Sequence, residues 1–450
     1  MHTPSIPAHL SAPLPADLRI DPQWIIPVEP ALQVLEGHAL IVRGGHILDI
    51  LPVHEADDRY QATEHQRLPG HALIPGLINL HTHAAMTLLR GYADDLPLME
   101  WLQNHIWPAE KRWVTPDFVR EGTQLACLEM LEGGITCFND MYFFPEASLQ
   151  AATQAGQRIV SGLIVLDFPS AWAADPDAYL QQGLAMRDQW LDNPLAHFCL
   201  APHAPYSVSD RSFEKIATYS AQLDLPIHIH LHETLDEIKQ SLERYRLRPL
   251  ERLHQLGLVG PQLIAVHAVH LNPDEQALLA EQGASIAHCP SSNLKLASGM
   301  APLASMLAHG LTVGLGTDGA ASNNRLDLWE EMRLAALLAK GASGQADAVP
   351  AHQALAMATI HGARALGLDD RIGSLAIGKA ADLVAVDLSG PETQPCFDPI
   401  SQLVYSAGRA QVSAVWIAGQ AVVREHRALS LDRDAILART HYWRERLQGH

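Results

Sequence analysis

The chain is poor in cysteine and in positive charge, and each shortage excludes a class of protein. Its five cysteines, Cys127, Cys137, Cys199, Cys289 and Cys396, are odd in number and lack paired spacing. That pattern fits reduced thiols, not a disulfide framework. Lysine and arginine total 31 against 50 aspartates and glutamates, for a formal charge of -19. Nucleic acid and anionic membrane both repel such a surface, so neither is an expected partner. The opening stretch MHTPSIPAHLSAPLPADLRI has no basic cluster followed by an apolar run, so no secretory signal is expected there. Its Pro-rich first dozen residues read as frayed. No run of about 18 uninterrupted apolar residues occurs, which excludes an ordinary transmembrane helix and leaves a cytoplasmic location as the expectation. Internal repeats and low-complexity tracts are missing too.

What the chain does have is length, apolar content and histidine. With 450 residues, 48% of them hydrophobic, it can bury a large core, and a barrel with a smaller appended domain is the natural prior. From Trp24 to about Ala72 it reads as short strands, with Gly44-Gly45 as a tight hairpin. From Leu73, strands alternate with helices. The apolar runs are Leu73 to Leu80, Ile135 to Phe138, Arg158 to Val165, Phe198 to Ala201 and Pro226 to Leu231. Leu263 to Val266, Ala284 to Ala287 and Thr312 to Leu315 complete eight. Between the first two, Thr115 reads as an N-cap, Pro116 suits a first turn and Gly133-Gly134 closes the helix. Eight β/α units over roughly 300 residues predict a parallel (β/α)8 TIM-type barrel. A doubly wound open sheet would need a Gly-rich turn after its first strand, where this chain has His81-Thr82-His83. Strands return at Ala381 to Val386 and Val412 to Ala418, and Asp432 to Leu447 reads as a polar helix. The expected organisation is α/β. Residues 1–72 and 373–450 form a composite β-sandwich from both chain ends, the latter adding the terminal helix. Residues 73–372 form the barrel.

Functional groups of such barrels project from the C-terminal ends of the strands. Those ends here carry His81 and His83, Asn139-Asp140, His203, and His228, His230 and His232 with Glu233. His267, His270, His288 and Asp318 follow. Two residues apart on a strand, His81 and His83 point to one side and can share an ion. Alone, His-x-His is equally consistent with two solvent-facing rings. His228, His230 and His232 alternate, so periodicity does not choose among them, although His230 falls at the mouth. Asp318 before Gly319 is also a common turn arrangement. Three imidazoles and one carboxylate suit zinc or a similar divalent metal.

Several runs together resemble the amidohydrolase superfamily. They are Pro75-Gly76-Leu77-Ile78-Asn79-Leu80-His81-Thr82-His83, His228-Ile229-His230-Leu231-His232-Glu233-Thr234, His267, and Gly316-Thr317-Asp318-Gly319. Within the superfamily the chain is similar to the aromatic deaminases and chlorohydrolases, and the likeness extends to Gly378-Lys379-Ala380-Ala381-Asp382 beyond the barrel. More narrowly, Met86-Thr87-Leu88-Leu89-Arg90-Gly91, Pro202-His203-Ala204-Pro205-Tyr206, Ser291-Ser292-Asn293-Leu294-Lys295-Leu296 and Asp318-Gly319-Ala320-Ala321-Ser322-Asn323-Asn324 resemble 5-methylthioadenosine/S-adenosylhomocysteine deaminases.

The resemblance implies hydrolytic deamination at C6 of an adenine ring. It implies His81, His83, His230 and Asp318 as ligands of one divalent ion, zinc foremost. It makes Glu233, His267 and Asp318 the catalytic groups, and Trp101, Glu110, His203 and Glu233 the substrate contacts, with Glu110 on the ribose hydroxyls. Two-metal relatives carry a modified lysine at the fourth strand; here that end reads Leu200-Ala201-Pro202-His203. Arginines that face the carboxylate of S-adenosylhomocysteine in some relatives have no counterpart between Arg158 and Gln189, the matching position being Leu163. The expected partners are therefore a small-molecule nucleoside, 5-methylthioadenosine or adenosine before S-adenosylhomocysteine, and further copies of the chain in a homo-oligomer. Rival readings are a guanine or cytosine deaminase, a triazine chlorohydrolase, or a catalytically silent scaffold, whose mark would be missing ligands.

Overall fold

The structure is a computed structural model that describes residues 13–448, so the expected fraying of the first dozen lies outside the described residues. Eight parallel strands pair in sequence order. They are Leu77–Thr82, Ile135–Asp140, Arg158–Val165, Ala196–Pro202, Ile227–Leu231, Leu263–His267, Ser285–His288 and Thr312–Leu315. The chain beyond the eighth strand returns to the first, where Asp318 N donates to His81 O at 3.0 Å, and helices cover the outside. This is the expected (β/α)8 barrel. Strands sandwiched between packed interior and helices are buried on both faces, which is why they read as nearly continuous apolar runs. The first helical separator follows its sequence signals. Thr115 Oγ1 accepts from Phe118 N at 3.2 Å, Pro116 opens the helix Pro116–Glu132, and Gly133 caps it.

Strands from both chain ends hydrogen-bond into a single mixed nine-stranded sheet. Gly44 and Gly45, at φ 58° and 79°, turn the hairpin between His38–Arg43 and His46–Pro52 as a primed turn requires. The two halves of the sheet join where Leu383–Asp387 runs antiparallel to the long strand Tyr60–Pro75, Val384 opposite Ile74. Two expectations change here. The apolar run from Leu73 is divided: Leu73 to Pro75 belong to this sheet, and the barrel begins at Leu77. Gly76 makes the junction, because a Cβ there would lie 2.0 Å from Thr136 Oγ1. The N-terminal segment also contains a short helix, Val53–Arg59, where only strands were expected.

Barrel and sheet are tied by a buried ion pair. Arg158, at the start of the third barrel strand, meets Asp382 at 3.1 and 3.2 Å, and Asp382 also accepts from Ala418 N at 2.8 Å. Removing one partner strands a buried charge. Asp382→Ala should lower stability by about 3–5 kcal/mol, read as a lower midpoint in chemical denaturation. Among the described residues, no helix is long and apolar enough to cross a membrane.

Candidate metal and catalytic site

The carboxyl ends of the first, fifth, sixth and eighth barrel strands converge. Ligand-capable atoms of His81, His230, His267 and Asp318 all lie within 4.8 Å of one another, and all four residues are buried. His83 stands beside this group. Its Nε2 is 3.2 Å from Asp318 Oδ1, the oxygen that His81 Nε2 approaches at 3.1 Å. The His81 and His83 rings share one side of the chain with centroids 4.8 Å apart, as residues two apart on a strand must. Gly316 lets the last strand approach the first: a Cβ there would sit 2.9 Å from the His81 Cβ.

The surroundings aim each donor inward. His83 Nδ1 donates to Met141 O at 2.6 Å and His230 Nδ1 to His203 O at 2.7 Å. Carbonyls only accept, so both rings carry a proton on Nδ1 and direct Nε2 toward the centre. Ser292 and Ser322 hydroxyls donate to Asp318 Oδ2 at 2.7 and 2.6 Å, which leaves Oδ1 to the imidazoles. Burial keeps His81 and His230 neutral, pushing the former down to about 4 and the latter well below its usual range. Burial opposes charge on Asp318 as well, yet His81 and His83 hold it well below the usual carboxylate range. Burial likewise disfavours a proton on His83, but Asp318 outweighs it and lifts that ring to about 9. The buried carboxylate thus demands a positive charge at this point. Neutral imidazoles around one anionic oxygen fit a divalent ion, which would take the place of that proton.

Glu233 follows the fifth strand, its Oε2 3.8 Å from His267 Nε2. Burial raises Glu233 above the ordinary carboxylate range. His267 Nδ1 faces Asn293 Oδ1 at 2.8 Å, so the ring donates there and presents Nε2 on the Glu233 side. Three residues of this rim, His232, His267 and Asp318, have positive φ without being glycine, at 54°, 69° and 58°. Backbone strain of this kind clusters at functional sites.

Above the cluster opens a cavity of about 560 Å3, and Trp101, Glu110, His203, Glu233, His267 and Asp318 all line it. Each residue expected to contact substrate therefore faces the same space as Glu233 and His267. Glu110 accepts from the Tyr142 hydroxyl at 2.8 Å, and burial pushes its carboxyl up to about 7. His203 is pushed down to about 3 by burial, and its Nδ1 meets Ser207 Oγ at 2.9 Å. Leu163 is buried and packs outward toward Gly183, whereas Ile164 and Leu166 line the cavity.

Sequence reasoning missed several supports. Tyr142 and Asn293 gave no periodic signal of their own; Asn293 stood in the Ser291-Ser292-Asn293 run without a role. Asp140 proves to hold the turn after the first strand, its Oδ1 accepting from Ala84 N at 2.8 Å. The remaining strand-end histidines lie behind the site. His228 Nε2 meets His81 Nδ1 at 3.0 Å, His232 Nε2 accepts from Leu250 N at 3.1 Å, and His270 Nε2 donates to Ser298 O at 2.8 Å. His288 is buried, with Nδ1 unpartnered among the described residues.

Fold and site together define a barrel hydrolase with a centre built for a divalent ion. The comparisons agree. Residues 72–422 match the model of the amidohydrolase family. A 5-methylthioadenosine/S-adenosylhomocysteine deaminase of Teredinibacter turnerae is 47% identical over 96% of this chain and 98% of its own. A crystal structure of an adenosine deaminase from Xanthomonas campestris with bound zinc superposes with a TM-score of 0.96 at 48% identity, covering 97% of this chain and 100% of that one. An atrazine chlorohydrolase from Arthrobacter aurescens complexed with zinc gives 0.89 at 26% identity, over 95% and 99%. This chain belongs to the amidohydrolase family, and it is a hydrolase acting on C–N bonds.

Proposed function

We propose that the chain hydrolyses the C6 amino group of an adenosine-like nucleoside, giving the inosine analogue and ammonia. The observation that carries this reading is a single cavity that Glu233 and Glu110 both line, each with different neighbours. Glu233 lies beside His267 at the metal-suited end, and Glu110 with Trp101 lies on the wall above. The close likeness to deaminases named for such nucleosides supports it.

In this reading His81, His83, His230 and Asp318 hold one zinc ion, which when bound lowers the pKa of a water toward neutrality. The residues do the rest. Trp101 and His203 frame the purine, and Glu110 accepts the ribose hydroxyls. Glu233, raised by burial, delivers a proton to ring N1, which makes C6 electrophilic. His267 Nε2 and Asp318 take the proton released as the C6–O bond forms. The C6–N bond then breaks as the C6 hydroxyl gives up its proton, which Glu233 relays to the departing ammonia, and the proton held by His267 and Asp318 returns to Glu233. A cytoplasmic homo-oligomer acting on a small molecule completes the proposal.

The test is the contrast between nucleoside and free base. Glu110→Ala should lower kcat/KM for adenosine and 5-methylthioadenosine roughly 100-fold, as expected for losing charge-assisted hydrogen bonds. It should barely change any slow turnover of adenine, which has no diol to grip. Equal effects on both substrates would count against the reading.

A further inference from the structure

The turn that carries Glu233 is held in a strained shape by a carboxylate that does not line the cavity. His232, the residue before Glu233, sits in the left-handed region at φ 54°. Its N–H donates to Glu237 Oε1 at 3.0 Å, and the N–H of Glu233 donates to Glu237 Oε2 at 2.9 Å. Glu237 is 5% exposed, and its own N–H donates to Thr234 Oγ1 at 3.2 Å at the start of the helix Leu235–Tyr245. An ordinary capping glutamate reaches back to the backbone of the cap residue. Here the carboxylate reaches past Thr234 to the two residues before it, the left-handed one and Glu233 itself.

The His232 side chain pins the same turn from the far side. Its Nε2 accepts from Leu250 N, its Nδ1 lies 3.6 Å from Glu275 Oε2, and its carbonyl accepts from His270 N at 3.0 Å. A strained non-glycine residue persists only where its surroundings over-determine it, and this one is tied by backbone and ring alike.

We infer that Glu237, with His232 as its counterpart, is a positioning residue that aims Glu233 at the purine ring. The inference rests on the proton-handling role of Glu233. Its force comes from the two N–H groups, each pointing at a different oxygen of one carboxylate. A glutamine would set its own N–H2 against one of those donors, and the turn would relax. A shift of the Glu233 carboxyl by about 1 Å slows a proton transfer on the order of 100-fold, while the ribose grip by Glu110 is untouched.

The experiment is steady-state kinetics with 5-methylthioadenosine and adenosine on metal-loaded protein. The variants are Glu237→Gln, Glu233→Gln and the double substitution, with metal content measured for each. Glu237→Gln should lower kcat per bound ion roughly 100-fold with KM within about 3-fold of wild type. Added to Glu233→Gln, it should cost nothing more, because the group it aims is already gone. Glu237→Asp, which keeps both acceptor oxygens but withdraws them, serves if the glutamine variant does not fold, and should show the same split. The inference is overturned if kcat per bound ion stays within about 2-fold of wild type, if KM and kcat move together, or if the double variant loses the full factor again. Retained turnover in Glu233→Gln alone would instead overturn the role of Glu233, which keeps the two failures distinct.

Discussion

Glu233→Gln should keep its metal and its fold but lose kcat by about 1000-fold or more. Glutamine matches glutamate in shape, so the cavity and the turn held by Glu237 survive. It cannot carry a proton. The proposed ligands are His81, His83, His230 and Asp318, so metal content should remain at wild-type level. In the wild type, burial raises this carboxyl from its ordinary value, the direction that favours a proton donor. The variant removes that capacity and nothing else. Single-turnover ammonia release, with metal content measured on the same sample, checks the prediction. Near-wild-type turnover would show that ring N1 receives its proton from another source.

Removal of the ion should have an effect at least as large. Protein dialysed against a chelator should fall below about 0.1% of its initial activity and recover with stoichiometric zinc. A stability change should accompany it. An ion that binds only the folded chain stabilises it by about 4 kcal/mol at a thousandfold excess over its Kd, so the stripped protein should melt at a lower temperature. The reason lies in Asp318. Its Oδ2 is satisfied by Ser292 and Ser322, whereas Oδ1 lies 3.1 and 3.2 Å from the rings of His81 and His83. With the ion gone, that buried oxygen must draw a proton onto His83 to find a positive charge. Full activity after verified removal of metal would contradict the assignment of these residues.

Much of this was legible because the barrel writes itself in two simple patterns. Doubly buried parallel strands appear as apolar runs, and the residue after each run falls at the mouth. His81-Thr82-His83 shows its shared side through period two alone. Periodicity could not choose among His228, His230 and His232, because all three obey it. Their separation depends on partners from elsewhere: the His203 carbonyl behind His230, His81 beside His228, and Leu250 N against His232.

The long strand Tyr60–Pro75 escaped notice because its exposed half alternates between polar residues, leaving no apolar rhythm. The terminal helix read as polar, yet Trp443 packs edge-on against Phe118 with centroids 5.1 Å apart. Only Ile436, Trp443 and Leu447 of its sixteen residues are buried, a stripe too sparse to stand out among the polar ones. Trp101 and Glu110 were reached only through family likeness. Tyr142, Asn293 and Glu237 act through contacts that no local pattern encodes.

The most direct test of the central claim is a substrate panel. It would follow ammonia release from adenosine, 5-methylthioadenosine, S-adenosylhomocysteine, guanine and cytosine, and chloride release from a chlorotriazine. An adenosine-like nucleoside should reach a kcat/KM of at least about 10^4 M-1 s-1, with guanine, cytosine and the triazine at least ~100-fold lower. Faster turnover of any of those three than of every nucleoside would contradict it.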